Sequence, residues 1–239
     1  MQKIKKHLLC TRPVSDAVIK QAASLDIEID VISFISTESL LNSEIVNLIK
    51  AFYSKKISVV FTSMNAVEQV ASCITGKPDW KIYCIGGTGE KLVNDVFGVS
   101  AIAATANNAA QLAEIIIADK TDKVVFFCGN IRREELPQKL RNAKIDVEEV
   151  VVYKTIETPV QIKKDYDGIL FFSPSAVKSF FNSNTIKKEP PLFAIGSTTA
   201  AAIKEYTAEK ILTADKPGKD DLVRFALNYL NSSPKNINS

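Results

Sequence analysis

A chain of 239 residues, 46% hydrophobic and 24% charged, is long enough to bury a substantial core and has the composition of an ordinary globular protein. Its net charge of +3 is too small for the electrostatic footprint of a nucleic-acid binder, and no apolar run approaches the ~18 residues that span a bilayer. The single histidine, His7, excludes most His-based metal centres and any Ser-His-Asp triad.

The elements alternate along the chain. Strand patterns fall at Lys6 to Arg12 and Ile27 to Phe34, separated by the helical spacing of VSDAVIKQAASL, which Pro13 and Ser15 open. SLLNSEIVNLIKAF reads as a helix, ISVVFTS as a strand, NAVEQVASCI as a helix and KIYCIG as a strand. A helix over 88–96, the strand SAIAAT and the helix NAAQLAEIIIAD follow. KVVFFCG, REELPQKLRNA and IDVEEVVVYKT repeat the strand–helix–strand order. Beyond a polar connection over 158–167 come GILFFS, AVKSFFNS, LFAIGS, TTAAAIKEYT, EKILTA and DDLVRFALNYL. Strands alternating with helices of about ten residues predict βαβ units and parallel sheets covered on both faces. The end of the chain, SSPKNINS, is expected to be a disordered tail over 232–239.

Cys10, Cys73, Cys84 and Cys128 form no CxxC pair and are read as reduced core thiols, which predicts a cytoplasmic protein. The N-terminal MQKIKKHLLC has a basic flank, but its apolar stretch is too short for a signal peptide. GGTGEK, over 86–91, has neither the spacing of a P-loop nor GxGxxG, which argues against a bound nucleotide.

The chain repeats itself. Phe61, Ser63, Ala66 and Val67 in VVFTSMNAVEQV align with Phe171, Ser173, Ala176 and Val177 in ILFFSPSAVKSFF, 110 positions later. That register continues through Ile85-Gly86 on Ile195-Gly196, Thr88 on Thr198 and Leu112 on Leu222. Upstream the shift becomes 118, placing Cys10 on Cys128, Ile27 on Ile145 and Thr37 on Thr155. One such match is cheap among buried strand–helix pairs, but a constant register through three units predicts a tandem duplication and two domains. The crossing between them lies either near Lys120 or in the long extended runs EIDVISFIST and VEEVVVYKTIET, which then act as a ladder joining the domains.

In open α/β sheets ligands bind beyond the carboxyl ends of the strands. Those ends carry Thr11-Arg12, Ser63, Gly86-Gly87-Thr88, Cys128-Gly129-Asn130, Ser173-Pro174-Ser175 and Gly196-Ser197-Thr198-Thr199, each opening a helix. Free amides, hydroxyls and helix dipoles favour anions there, with Arg12 and Arg133 beside the turns. Any one of these Ser or Thr residues is equally a simple helix cap; the recurrence predicts a surface that takes several carboxylates or phosphates.

VVFTSMNAVEQV, IYCIGGTGEKLV, FFCGNIRREELPQKLRNAKIDVEEVVVYKT, ILFFSPSAVKSFF and FAIGSTTAAAIKE, in that order, resemble the uroporphyrinogen-III synthase family over essentially the whole chain. The resemblance implies two flavodoxin-like α/β domains joined by a two-stranded β-ladder hinge, with the cleft between them. Domain 1 then comprises 1–36 and 155–239, and domain 2 comprises 37–154. It implies cyclisation of hydroxymethylbilane with loss of water and inversion of the last pyrrole, without metal or organic cofactor. Tyr153 in VVVYKT matches the tyrosine proposed as proton donor in the family, and Thr198-Thr199 match its threonine pair. Arg12, Ser63, Thr88, Arg133, Ser173 and Ser175, with the amides around Gly129 and Asn130, are expected to hold substrate carboxylates. The expected partner is this small molecule, with no nucleic acid and no membrane, and the protein is expected to be a monomer in transient contact with the preceding enzyme of the pathway. The chain departs from the family at Met64-Asn65, where Pro-Arg is common, and at Gly89, where a threonine is common. The alternative function is a non-catalytic two-lobed module that binds a tetrapyrrole or another polyanion.

Overall fold

The computed structural model describes residues 5–186, 188–214 and 218–232, so most of the expected disordered tail lies outside the described residues; Ser232 is the last residue of the final helix. Two compact units result, one formed by the described residues up to Ser36 and from Ile156 onward, the other by Thr37–Thr155.

The first unit contains β1 (Lys6–Cys10), α1 (Asp16–Ser24) and β2 (Ile27–Val31) from the beginning of the chain. From its end come β9 (Gly168–Phe171), α7 (Pro174–Phe181), β10 (Leu192–Ala194), α8 (Ser197–Lys204), β11 (Ile211–Thr213) and α9 (Lys219–Ser232). Its sheet runs β2-β1-β9-β10-β11, all parallel, which is the flavodoxin-like strand order. One face buries Leu8, Phe193 and Leu222 beneath α1 and α9, and the other buries Phe34, Phe171 and Phe180. Phe180 meets Phe34 and Phe171 edge-on, at 5.1 and 5.3 Å between ring centres, the arrangement favoured by aromatic quadrupoles.

The second unit holds β3 (Ile35–Ser39), α2 (Ser43–Tyr53), β4 (Ile57–Phe61), α3 (Met64–Ala71), β5 (Trp80–Ile85), α4 (Thr88–Phe97) and β6 (Ile102–Ala106). It continues with α5 (Ala109–Ala118), β7 (Lys123–Gly129), α6 (Glu135–Asn142) and β8 (Asp146–Glu157). The sheet order is β3-β8-β7-β4-β5-β6. Under the repeat, β7 and β8 answer to β1 and β2, and β4, β5 and β6 answer to β9, β10 and β11; both sheets then have one strand order. α3 occupies the positions that the 110-residue shift assigns from α7. The 118-residue shift needs one amendment. Cys10 pairs with Leu170, whose counterpart Val60 pairs with Phe126, so Phe126 and not Cys128 stands where Cys10 stands. β7 therefore runs on past the level at which β1 ends.

The chain leaves the first unit within β3 and returns within β8, neighbouring strands of the second sheet. The sequence pattern absorbs β3 into a long extended run and starts the next helix at Ser39. The helix instead begins at Ser43, because the Asn42 side chain accepts the Ile45 amide at 2.9 Å and caps it. An aromatic stack of Phe61 on Phe97 and Phe127, with Trp80 against both, fills one face of the second sheet. No helix among the described residues is long and apolar enough to cross a membrane.

Candidate active site

The carboxyl edge of the second unit is organised by an irregularity between β7 and β8. Cys128 pairs with Val151, but Gly129 pairs with Tyr153, so two residues of β8 oppose one of β7. Such a bulge re-aims a side chain. Along β8, Val147 and Val151 belong to one core face, and strict alternation would send Tyr153 the same way. Tyr153 instead packs with Val150 and Val152 in the opposite core, beside Phe61 and Phe127.

The ring passes over Gly129. A Cβ on that residue would fall 2.5 Å from the Tyr153 Cζ and 2.8 Å from its hydroxyl, closer than real Cβ atoms approach. Glycine is what makes room. The hydroxyl thereby reaches the end of β4 and donates a hydrogen bond of 2.9 Å to Ser63 Oγ. Tyr153 is 8% exposed, and burial raises its pKa above 10, more than the Ser63 hydrogen bond lowers it. Asn130 secures the bulge from both sides: its amide donates to the Tyr153 carbonyl at 3.1 Å, and its Oδ1 accepts the Thr155 amide at 2.8 Å.

Ser63 and Ser173 hold matched positions in the repeat and differ in use. Both are N-caps, of α3 and α7. Ser173 Oγ accepts the Ala176 amide at 3.2 Å, as a capping serine does. Ser63 Oγ takes no amide of α3 and receives Tyr153 instead.

Two more turns flank this edge of the second unit. Gly87, with φ +76, caps α4 and leaves Thr88 exposed as the first helical residue. Only glycine adopts that φ without strain. Next to it a cavity of about 460 Å³ is lined by Gly86, Gly87, Thr105, Asn107, Glu90 and Glu114 among others. Asn108 caps α5 there through the Gln111 amide at 2.9 Å. The Asn107-Asn108 turn is absent from the strand-end turns expected above, yet it carries its own sequence signal, two amide side chains between a strand and an apolar helix. Of the neighbouring arginines, Arg132 is committed to Glu149 and Glu134, whereas Arg133 is exposed and meets no acid among the described residues.

The first unit presents its own carboxyl edge. Arg12 follows β1, partly buried, its pKa lowered by that burial, and it forms no ion pair among the described residues. The Thr11 hydroxyl beside it is buried without a hydrogen-bond partner among the described residues, as is that of Ser179 in α7. Ser175 lies partly exposed in the first turn of α7. Thr198 is exposed and Thr199 is 2% exposed at the start of α8. A Cβ on Gly196, the cap of α8, would meet nothing within 4 Å among the described residues, so the space beside that cap is open. The structure thus gathers Ser63, Gly129, Asn130 and Tyr153 into one contact set, while Arg12, Ser173, Ser175, Thr198 and Thr199 occupy the strand-end turns of the other unit.

Two flavodoxin-like units that share one parallel strand order, each with a row of small hydroxyl-bearing turns at its carboxyl edge, define a duplicated α/β protein. Residues 16–224 match the profile of the family described as uroporphyrinogen-III synthase HemD, and the chain belongs to that family. It is 32% identical over 136 residues to uroporphyrinogen-III synthase of Saccharomyces cerevisiae (strain ATCC 204508 / S288c), an alignment covering 46% of this chain and 48% of the yeast protein. The match thus spans about half the length of that curated relative. Among solved structures, a mutant uroporphyrinogen III synthase from the extremely thermophilic bacterium Thermus thermophilus superposes with a TM-score of 0.66 at 12% identity, covering 94% of this chain and 98% of that one. Uroporphyrinogen-III synthetase from Helicobacter pylori 26695 gives a TM-score of 0.65 at 16% identity, covering 94% and 99%. These structural likenesses establish the fold.

Proposed function

We propose that this chain is a cyclising lyase that converts hydroxymethylbilane to uroporphyrinogen III, removing the terminal hydroxyl as water and closing the ring with the last pyrrole inverted. The observation that carries this reading is the Tyr153–Ser63 hydrogen bond, held at the carboxyl edge by a bulge that requires Gly129, in a chain of this family. The substrate's pyrroles are electron-rich and supply both the nucleophile and the push that expels hydroxide. What remains for the protein is a proton for the leaving oxygen and a fixed geometry for a flexible chain.

Tyr153 is the source of that proton. Carboxylates of the substrate's acetate and propionate groups pair with Arg12, Thr198 and Thr199 in the first unit and with Thr88 and Arg133 in the second. Ser175 adds a hydroxyl to the α7 turn, where the hydroxyl of Ser173 is already engaged as a cap. Gly129 and Asn130 act by holding Tyr153 in place. The chain acts in the cytoplasm, as a monomer with transient contact with the preceding enzyme, because hydroxymethylbilane released into water closes without inversion.

The test is to give pure protein fresh hydroxymethylbilane and to separate the two uroporphyrinogen isomers by chromatography. Accumulation of isomer III above the spontaneous background is expected. Isomer I alone would replace the synthase with a tetrapyrrole-binding module.

A further inference from the structure

We propose that Ser63, not Tyr153, hands the proton to the departing hydroxyl, and that Tyr153 resupplies Ser63, the two forming a relay. This deepens the synthase reading above and rests on it.

A phenol carries one proton. That of Tyr153 is directed at Ser63 Oγ, 2.9 Å away, so it is not available to a substrate oxygen while this contact lasts. Nor is the ring free to swing over β7, since the surface of Gly129 already lies against Cζ and the hydroxyl. Of the two hydroxyls, Tyr153 is the buried one and Ser63 lies nearer the surface. Ser63 has also been released from the task its counterpart performs. Ser173 spends its oxygen on the Ala176 amide, whereas Ser63 Oγ takes no amide of α3 and its own O–H has no acceptor among the described residues. A serine that accepts from behind and has its proton free in front is a relay element.

The Ser63 O–H bond breaks and its proton bonds to the substrate's terminal hydroxyl oxygen. The C–O bond then breaks with its electron pair on that oxygen, which leaves as water, and the pyrrole nitrogen lone pair stabilises the carbocation. The Tyr153 proton moves to Ser63, leaving a phenolate. The resulting methylene cation is attacked by the α-carbon of the last pyrrole that already bears a methylene bridge; the older bridge bond to that carbon then breaks and re-forms at the pyrrole's free α-carbon, which inverts the ring. That free α-carbon regains aromaticity by losing its one proton, which returns through Ser63 to Tyr153. No oxidant or reductant takes part. Burial, which disfavours the phenolate, drives that return.

The experiment measures kcat and KM for isomer III formation in the full chain, for wild type, Ser63→Ala, Tyr153→Phe, the double variant and Ser63→Thr. General acid catalysis contributes about 10²–10⁴-fold, so each single deletion is expected to lower kcat about 10²-fold with KM changed less than about twofold. The double variant is expected to be no slower than the worse single one, as residues acting in series are non-additive. Ser63→Thr, which keeps a hydroxyl, should regain at least a tenth of the wild-type rate. Ser63→Gly repeats the deletion with a residue tolerated at caps, should Ser63→Ala melt early. The relay is overturned if Ser63→Ala and Ser63→Gly keep the wild-type kcat, if they raise KM alone, as loss of a carboxylate contact would, or if the double variant loses the product of both effects. Wild type making isomer III with Ser63 dispensable overturns the relay alone. Wild type making only isomer I overturns both readings.

Discussion

Gly129 and Tyr153 share one space: the Tyr153 ring stands where any side chain on Gly129 would begin, 2.5 Å from the ring carbon that bears the hydroxyl. The two residues are opposite each other only because the β7–β8 register shifts at this point. Gly129→Ala must displace the ring or the strand. Overpacking a dense core costs about 1–3 kcal/mol, and displacing a reacting group by about 1 Å costs about 10²-fold in rate. Both losses are expected in Gly129→Ala, measured by urea unfolding and by isomer III formation. In a Tyr153→Ala background the same glycine substitution should cost less than about 1 kcal/mol, because the clash is gone; an equal cost in both backgrounds would refute the shared-space account.

The matched serines should separate stability from rate. Ser173→Ala removes a cap hydrogen bond and is expected to destabilise by about 1 kcal/mol, the usual value for a serine cap. Ser63→Ala removes no cap bond and should shift the unfolding midpoint less, while lowering the rate far more. Denaturant titrations of the two variants decide it, and a larger stability loss at Ser63 would count against the assignment.

Acid stability should depend on Glu149. Burial raises its pKa, but hydrogen bonds from Arg132 and Arg141 outweigh that and bring it below the ordinary 4.5. A carboxylate whose folded pKa lies below its unfolded one contributes stability that is present above the unfolded value and lost as pH falls through the folded one. The contribution is therefore complete at pH 7 and lost below about pH 4.5. Glu149→Gln should destabilise the protein at pH 7 and flatten the fall in unfolding midpoint as the pH drops below about 4.5. An unchanged acid slope would show that other groups dominate it.

Thiol reactivity should follow depth. Burial pushes the Cys10 and Cys128 thiols up to about 12 and Cys84 to about 11, whereas Cys73 is only partly buried. Thiolate, not thiol, reacts with disulfide reagents. At pH 8 the native protein should therefore react rapidly at Cys73 alone and at all four after unfolding in urea, counted by released thionitrobenzoate. Rapid native labelling of Cys128 would mean that the β7 edge opens readily.

What was local in this chain was legible in it. Val18, Ala22, Ala176 and Val177 recur at helical spacing and are buried, and the apolar runs ISVVF and KVVFFCG are buried strands. The duplication was visible because both copies must bury the same faces, and the common strand order of the two sheets follows it. Less visible was β3, since a short exposed strand next to a helix cap carries no periodicity of its own.

Residue types alone thus determined the parallel α/β elements, their repeat and the turns at which anions are favoured, because hydrophobic period and capping are properties of neighbouring residues. Tertiary structure alone decided what those turns do. Alternation along β8 points Tyr153 to the wrong face; only pairing with β7, and the missing Cβ of Gly129 on that other strand, turns it toward Ser63. Ser63 and Ser173 read identically along the chain, yet Ser173 caps its helix and Ser63 accepts a hydrogen bond from a residue 90 positions away. A register shift is a relation between two strands, so neither strand carries it by itself.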